Sequence, residues 1–197
     1  MLTLADVFEA LSGVRPQAAS LVISEAAIDS RQLIPGSMFV ALKGERSDGH
    51  DYVGAAFERG AHLALIQREV VVDRPVVDLR TLDFSEGWEL PDPPFCIRVE
   101  DTLQSLQKLA AYWRRKHDLR VIGITGSVGK TTTKELITEI LAQRYRVLKT
   151  QGNLNNEIGL PLTLLRLTAA HQTAVLEMGF YVPGEIAFLC EIAQPQV

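Results

Sequence analysis

The sequence predicts an α/β protein of two domains, the second of them built on a parallel sheet. From Val121 onward, short apolar runs alternate with segments of helical periodicity, a pattern typical of parallel strands joined by crossover helices. A glycine-punctuated turn at 126–129 separates the first of these runs from the first helix. Upstream, residues 83–94 (DFSEGWELPDPP) combine proline with acidic residues and lack periodicity, which indicates a boundary.

The first domain, residues 1–82, is predicted to be a small α/β unit. Apolar residues at helical spacing predict its first helix, namely Leu4, Val7, Phe8 and Leu11. The runs at 38–42 (MFVAL) and 62–66 (HLALI) predict two strands, and a helix is expected over about 52–59 between them. Residues 83–100 are assigned to a linker and boundary region, with a short strand expected at 97–99.

The second domain, residues 101–197, is predicted to repeat the order strand, helix three times. Asp101 suits the N-cap of a helix that leads into the strand at 121–124. Apolar residues at helical spacing predict the next helix, namely Leu136, Ile137, Ile140 and Leu141. Further strands are expected at 146–149 and 174–178, and further helices near 157–167 and 184–192.

The turn after Val121–Ile124 has the residues of a nucleotide-phosphate cradle: Thr125, Gly126, Ser127, Val128, Gly129, Lys130, Thr131 and Thr132. The longer form of this motif has glycine where the chain has Ile124, so the match is to a shorter variant. A strand, turn and helix in this order direct backbone N–H groups and the positive helix end at one point, which suits a polyphosphate. Lys130 is therefore predicted to reach the β- and γ-phosphates of ATP, and the Thr131 hydroxyl to take a Mg²⁺ position. The alternative is a glycine-rich turn that only caps the helix.

Composition argues against several classes of protein. The 197 residues are 47% hydrophobic and 22% charged, with a formal net charge of −4, which describes a globular chain without the basic footprint of a nucleic-acid-binding protein. The N-terminus lacks a basic region followed by an apolar run, and no apolar stretch reaches about 18 residues. We therefore expect a cytoplasmic protein that contacts neither nucleic acid nor membrane.

Two polar clusters in the first domain are candidate binding sites. One is Asp29-Ser30-Arg31, and the other spans residues 43–50 (KGERSDGH) after the strand at 38–42. Turn chemistry accounts for both, because Asp-Ser and Asp-Gly pairs favour tight turns. A hydroxyl, an arginine fork and a glycine backbone are equally what a sugar-nucleotide diphosphate would use.

Together these motifs resemble the Mur ligases of peptidoglycan synthesis, and the resemblance extends over essentially the whole chain. The two polar clusters are similar to the N-terminal UDP-binding domain of the third and last amino-acid-adding members, and residues 125–132 are similar to their ATP loop. Residues 152–165 (GNLNNEIGLPLTLL) resemble the signature of the branch that adds D-alanyl-D-alanine. A turn that caps a helix explains one asparagine well, but not three within four positions.

The resemblance implies an ATP-dependent carboxylate-amine ligase. ATP would phosphorylate the terminal carboxylate of UDP-N-acetylmuramoyl-tripeptide, and the amine of D-Ala-D-Ala would attack the acyl phosphate. Because attack between anions needs cations, Lys130 is the expected catalytic residue and would hold the γ-phosphate. Glu177 lies near the end of the strand expected at 174–178 and matches the family's Mg²⁺-binding glutamate, which would act beside Thr131.

The resemblance also implies residues for substrate binding. Those in the first domain are Ser30, Arg31, Lys43, Gly44, Asp48, Gly49 and His50, and those expected to line the muramoyl-peptide side in the second are Thr150, Asn153 and Asn156. The family's metal-holding histidine, carbamylated lysine and C-terminal domain have no counterpart before Val197. We therefore expect an N-terminal portion of such a ligase, inactive alone and monomeric at full length.

Rival functions stay open. The chain could belong to another Mur ligase or to a folylpolyglutamate-type ligase, which shares the ATP loop and carboxylate activation. A folylpolyglutamate-type ligase should lack the Asp-Ser-Arg and Asp-Gly-His clusters of a UDP-binding domain. A non-catalytic nucleotide-binding module is a rival from a different class, and ligase turnover separates it from the enzymes.

Overall fold

The computed structural model describes residues 1–17, 19–84 and 88–197. Contacts within the chain divide it into two compact units, Met1–Leu106 and Gln107–Val197. The predicted α/β class is confirmed, since each unit carries a sheet whose paired strands are all parallel. None of the helices in the described ranges has both the length and the apolar character needed to cross a bilayer.

The first unit contains a five-stranded sheet with the order β1-β2-β3-β5-β4. Its strands are β1 (Ala26–Ala27), β2 (Met38–Val40), β3 (Leu63–Ile66), β4 (Val76–Asp78) and β5 (Phe95–Arg98). Its helices are α1 (Leu4–Ser12) and α2 (Val53–Glu58), with short 3₁₀ turns at Ser30–Gln32 and Gly49–Tyr52. Every residue of β2 and β3 is buried, which explains why both strands read as continuous apolar runs.

Local signals set the bounds of α1. The Thr3 hydroxyl accepts a hydrogen bond from the Asp6 backbone N–H, and the Asp6 carboxylate accepts one from the Thr3 N–H, which forms a capping box. Gly13 ends the helix in the left-handed region at φ 82°, where glycine carries no Cβ penalty. The predicted N-terminal helix is thus present, and its N-cap and C-cap both follow from residue type.

Strand β5 overlaps the short strand expected at 97–99 but begins two residues earlier, and it is a sheet strand within residues 83–100, which the sequence analysis assigns to a linker and boundary region. The strand lies between β3 and β4, and its Phe95, Cys96 and Ile97 are fully buried. Proline and acidic residues upstream dominate the local pattern, whereas the pairing that defines the strand is non-local. Strands β1 and β4 were not predicted, because two or three residues are too few to show a period.

The second unit contains a three-stranded sheet with the order β6-β8-β7. Its strands are β6 (Arg120–Ile124), β7 (Val147–Lys149) and β8 (Thr173–Glu177). Helix α3 (Thr102–Arg115) begins before the division between the units, and it is followed by α4 (Lys130–Ala142), α5 (Gly159–Leu164) and α6 (Glu185–Ala193). The predicted alternation of strand and helix is therefore present. The last residues continue beside β6, because Gln196 N–H donates to the Val121 carbonyl and Gly123 N–H to that of Val197.

Helix α4 buries a face that only partly coincides with the predicted one. Leu136 and Ile140 of the apolar stripe are 57% and 71% exposed, whereas Lys134 and Thr138 are buried. Polar contacts with the end of β8 orient the helix, as described below. The other two residues of the predicted stripe, Ile137 and Leu141, are half-buried, so helical spacing identified the helix correctly and its inward face only in part.

Candidate functional site

The candidate site lies at the carboxyl edge of the second sheet. Strand pairing sets Ile124 of β6 opposite Glu177 of β8, and Lys149 of β7 opposite Val175. Because the strands are parallel, the loops that follow them emerge at the same edge. This edge is where open α/β sheets bind ligands.

The turn between β6 and α4 has the backbone of a phosphate cradle. Gly129 precedes the helix at φ 84° and Gly126 lies at φ 138°, both conformations that disfavour a side chain. The first intrahelical hydrogen bond of α4 runs from the Thr133 N–H to the Gly129 carbonyl. The N–H groups that precede Thr133 therefore have no acceptor within the helix. Such a helix end attracts anions.

Lys130 lies at the start of α4, where the sequence predicted it. Its Nζ donates to the carbonyl oxygen of Gly126 at 2.6 Å, so the ammonium group lies across the loop. The other loop side chains that the sequence assigned to the nucleotide are exposed to solvent, namely Thr125, Ser127, Val128, Thr131 and Thr132. The loop therefore presents a cation and several polar groups on an open surface.

Glu177 is brought to this loop although it is only 3% exposed. Its Oε2 accepts a hydrogen bond from the Thr131 hydroxyl at 2.9 Å, and its Oε1 accepts one from Nδ2 of Asn155 at 2.9 Å. A hydroxyl and a carboxylate side by side are hard oxygen donors of the kind that Mg²⁺ prefers. No cluster of three or more His, Cys, Asp or Glu side chains that could hold a metal ion occurs in the described ranges.

A chain of alternating charges continues from Glu177 into α4 and β7. Nζ of Lys134 lies 3.8 Å from Oε2 of Glu177 and 3.2 Å from Oε1 of Glu135. Nζ of Lys149 in turn lies 2.5 Å from Oε2 of Glu135. The hydrogen bond from Lys149, followed by that from Lys134, lowers the pKa of the Glu135 carboxyl. Sequence reasoning missed Lys134 and Glu135, since only tertiary structure shows that this lysine is buried.

The loop after β7 supports Glu177 in a way that differs from the predicted substrate contacts. Thr150 is fully buried, and its hydroxyl accepts a hydrogen bond from the Glu177 backbone N–H at 2.9 Å. It therefore holds the end of β8 and does not line an open surface. Asn156 accepts from the N–H groups of Gly159 and Ile158, so it caps α5.

Of the three asparagines in this loop, the one beside Glu177 is Asn155, which the sequence analysis did not select. Asn153 contributes its backbone carbonyl, which accepts from the Asn155 N–H at 2.8 Å. The Asn155 carbonyl accepts from the N–H of Gly179 at 2.7 Å. The unusual asparagine run was the correct signal, but an irregular loop has no period that would show which side chain points inward.

In the first unit, the Asp-Ser-Arg cluster forms a turn after β1. Asp29 accepts from the Arg31 N–H at the start of the 3₁₀ turn, and its carboxylate pairs with the Arg31 guanidinium at 2.9 Å. The hydrogen bond from the Arg31 side chain is the main cause that lowers the pKa of Asp29 to about 2. Ser30 is buried, whereas the Arg31 side chain is 81% exposed. Of the two predicted contacts, Arg31 is thus the accessible one.

His50 differs from the prediction that it contacts substrate. Its Nδ1 lies 2.6 Å from Oδ1 of Asp48, and its Nε2 accepts from the Gln67 N–H at 3.0 Å, so this network assigns the ring proton to Nδ1. The side chain is 1% exposed. Both ring nitrogens therefore serve the fold. Oδ2 of Asp48 accepts from Nε of Arg68 at 3.0 Å, so this carboxylate is also engaged internally.

The remaining residues of this cluster shape the loop after β2. A Cβ on Gly49 would lie 2.8 Å from the backbone N and O of Leu42, so only glycine fits there. Lys43 and Asp48 form an antiparallel bridge, and the Gly44 N–H donates to the Ser47 carbonyl. Lys43 and Gly44 are exposed at the carboxyl edge of the first sheet.

A groove in the first unit coincides neither with the loop and Glu177 nor with the two polar clusters. Its volume is about 720 Å³, and its lining includes Pro16, Leu21, Trp88, Leu90 and Pro91. None of the predicted site residues lines it.

Comparisons with known proteins agree with this geometry. Residues 22–114 match the family description "Mur ligase family, catalytic domain", and residues 124–197 match "Mur ligase middle domain". The second match begins at the last residue of β6 and includes the loop, Thr131 and Glu177.

Individual relatives are similar over nearly the whole chain. The UDP-N-acetylmuramoyl-tripeptide–D-alanyl-D-alanine ligase of Bacillus subtilis (strain 168) is 42% identical over 198 residues, which cover 98% of this chain and 39% of the relative. The crystal structure of MurF from Acinetobacter baumannii has a TM-score of 0.76 and 35% identity, covering 96% of this chain and 38% of that one.

The MurF ligase of Thermotoga maritima, solved in complex with ADP, has a TM-score of 0.68 and 36% identity, covering 87% of this chain and 35% of that one. The chain thus spans about two fifths of the length of the curated relative above, at 39%. All three relatives carry names of D-alanyl-D-alanine-adding ligases or of MurF.

Proposed function

Because the chain belongs to the Mur ligase family, we propose that it forms part of an ATP-dependent ligase that adds D-alanyl-D-alanine to UDP-N-acetylmuramoyl-tripeptide. The observation that carries this proposal is the Thr131–Glu177 contact, which joins a phosphate loop to a buried carboxylate at one sheet edge. The names of the relatives favour this substrate pair over other carboxylate-activating ligases.

ATP is proposed to bind with its phosphates against the turn between β6 and α4. The N–H groups at the start of α4 would donate to phosphate oxygens, and Lys130 would exchange its contact with Gly126 for the γ-phosphate. The exposed side chains of Thr125, Ser127 and Thr132 border the same loop. The relative solved with ADP is consistent with a nucleotide at such a site.

Mg²⁺ fits the donors present, since Thr131 and Glu177 offer a hydroxyl and a carboxylate within 2.9 Å of each other. When bound, the ion would neutralise charge on the phosphoryl oxygens during transfer. Asn155 and Thr150 would keep Glu177 in place through its Oε1 and its backbone N–H.

The proposed reaction has two steps. The substrate carboxylate attacks the γ-phosphorus of ATP, the bond to the bridging oxygen breaks, and an acyl phosphate and ADP form. The amine of D-Ala-D-Ala then attacks the acyl carbon, the bond from that carbon to the phosphate oxygen breaks, and phosphate leaves with the proton that the amine loses as the peptide bond forms. Lys130 would be the catalytic residue, because its fixed positive charge offsets the repulsion between the two anions in the first step.

The first unit is proposed to bind the UDP part of the substrate at the carboxyl edge of its sheet. Arg31 and Lys43 are exposed cations that follow β1 and β2 there, and either could pair with a diphosphate. Gly44, Asp48, Gly49 and His50 would act by shaping the loop after β2 through their internal hydrogen bonds, and the buried Ser30 would act by shaping the turn after β1. Asn153 and Asn156 are proposed to border the muramoyl peptide from the loop after β7.

Phosphate release tests the proposal. ATP, Mg²⁺, UDP-N-acetylmuramoyl-tripeptide and D-Ala-D-Ala would be supplied to this chain and to a polypeptide extended to the length of its relatives. We expect turnover in the extended polypeptide, loss of turnover in its Lys130→Ala variant, and no turnover in the chain of 197 residues. If the extended polypeptide releases no phosphate, the proposal is contradicted, and another carboxylate-activating ligase or a binding module is favoured.

Sedimentation of the extended polypeptide tests the proposal that it is a monomer. Cell fractionation tests the proposed cytoplasmic location.

A further inference from the structure

We propose that Lys134 is a positioning residue of this site, whose ammonium group holds the Glu177 carboxylate against Thr131 before nucleotide and metal enter. The inference rests on the proposed function, because it assigns a task within the same site. Neither the phosphate-loop motif nor the family descriptions select this lysine.

The burial of Lys134 requires a partner for its charge. Its side chain is 2% exposed, and that of Glu177 is 4% exposed. A charge removed from water is costly unless it is paired. Nζ of Lys134 lies 3.8 Å from Oε2 of Glu177. In the described part of the chain, Lys134 is the cationic side chain that forms an ion pair with this carboxylate within 4.0 Å.

Lys134 is placed to act on the carboxylate and not on a phosphate. Lys130 is partly exposed and lies across the phosphate loop, whereas Lys134 lies one turn further along α4 and is enclosed. Thr131 and Lys134 are three positions apart, so they share one face of the helix. The hydroxyl of Thr131 and the ammonium group of Lys134 therefore both approach the same oxygen, Oε2 of Glu177.

Lys134 is also held by Glu135, the next residue of α4, which is itself tied to β7. Oε1 of Glu135 lies 3.2 Å from its Nζ, and the other oxygen of Glu135 contacts Lys149 at the end of β7. The ammonium group therefore lies between two carboxylates, one of them tied to a neighbouring strand. Without Lys134, the Glu177 carboxylate would be drawn toward water and away from Thr131.

A double-mutant cycle without nucleotide tests the contact itself. Thermal unfolding would be measured for the wild type, Lys134→Met, Glu177→Gln and the double variant. We expect Lys134→Met to lower Tm by roughly 5 °C or more in the wild type, since it strands a buried carboxylate, and by less than about half as much beside Glu177→Gln. Additive shifts would overturn the proposal. Should Lys134→Met fail to fold, Lys134→Gln takes its place in the cycle, because its amide can still donate a hydrogen bond.

Calorimetric titration with ADP, in Mg²⁺ or in EDTA, tests the consequence for the site. We expect Lys134→Met to reduce the gain in ADP affinity that Mg²⁺ confers by about tenfold, as for other groups that orient a metal ligand. ADP affinity in EDTA should change by less than about twofold, because Lys134 is not placed to touch phosphate. Lys116→Met, at an exposed lysine beyond the end of α3, is the control and should change neither value.

Other outcomes would overturn the inference. An equal loss of affinity with and without Mg²⁺ would indicate a phosphate contact, and an unchanged or larger gain from Mg²⁺ would show that Lys134 does not support Glu177. A wild-type chain that binds no ADP under either condition would instead contradict the proposed nucleotide site. The double-mutant cycle would still decide whether Lys134 holds Glu177.

Discussion

The hydroxyl of Thr131 donates to Oε2 of Glu177 at 2.9 Å across a separation of 46 residues. This bond connects the two parts of the candidate site, because it links the first turn of α4 to the end of β8. It exists only because parallel pairing sets the ends of β6 and β8 side by side. A loop motif and a distant glutamate thereby become parts of one arrangement.

Replacing Lys130 with methionine should weaken ATP binding roughly 10- to 100-fold, the value of one hydrogen bond to a charged group. The fold should be retained, because the ammonium group of Lys130 donates to a carbonyl in an open loop and that carbonyl can bind water instead. Calorimetric titration with ATP and Mg²⁺ measures the effect. Equal affinity in Lys130→Met and in the wild type would rule out the assigned role.

Alanine substitutions of Asn155 and Asn156 should have different effects: the first should weaken ligand binding, and the second should lower the free energy of unfolding. Asn156→Ala removes the cap of α5 and should cost about 1 kcal/mol of unfolding free energy, with ADP affinity in Mg²⁺ retained. Asn155→Ala removes the donor to Oε1 of Glu177 and should lower ADP affinity in Mg²⁺ several-fold. Urea unfolding and calorimetry on both variants check this, and the reverse pattern would show that the two assignments are exchanged.

Gly159→Ala should destabilise the second unit by roughly 1–3 kcal/mol, the usual cost of overpacking. A Cβ there would lie 2.3 Å from Cα of Leu154, a backbone atom that cannot move aside alone. Gly54→Ala is the matched control, because its Cβ would meet only Cγ1 of Val72 at 3.9 Å and alanine favours the helix. Urea unfolding should show reduced stability for Gly159→Ala and no reduction for Gly54→Ala.

Stability of the first unit should fall between about pH 4 and pH 2. Burial raises the pKa of Asp48, but hydrogen bonds from the backbone and ring of His50 and from Arg68 outweigh it and lower this pKa to about 2. A carboxyl whose folded pKa lies below its unfolded value of about 3.9 stabilises the fold above that value, and the gain is lost as pH falls toward the folded pKa.

The variant Asp48→Asn should flatten this fall by roughly 1–2 kcal/mol, less than the full shift implies because the carboxylate is partly exposed. Asp29, whose pKa is also about 2, should account for part of the remaining slope. Chemical unfolding at several pH values from 2 to 6 provides the measurement. An equally steep fall in Asp48→Asn would contradict the role of this network.

Sequence reasoning reached the features that local pattern determines. Glycine placement predicted the turn that ends at Lys130, and apolar runs predicted β2, β3, β6 and β8 to within about two residues at each end. The match of Glu177 to a metal-binding glutamate came from the family resemblance. Its proximity to the loop then followed from the parallel order of the strands.

What sequence reasoning missed depends on distant contacts. Nothing local distinguishes Lys134 from an exposed lysine, because its burial follows from how α4 lies on β8. The same holds for His50, whose Nε2 accepts from Gln67, a residue in a different loop. The strand expected at 97–99 is present as β5, but the proline-rich residues before it concealed that it begins at Phe95.

Each sheet places a later strand between two earlier ones, β5 between β3 and β4, and β8 between β6 and β7. During synthesis, neither pair of earlier strands can close until the later strand emerges. At about 5–20 residues per second, β7 would therefore wait on the order of seconds for β8. The strand that ends in Glu177 is thus also the one that joins β6 to β7, and a nascent chain would bring Glu177 to Thr131 in the same event that pairs these strands.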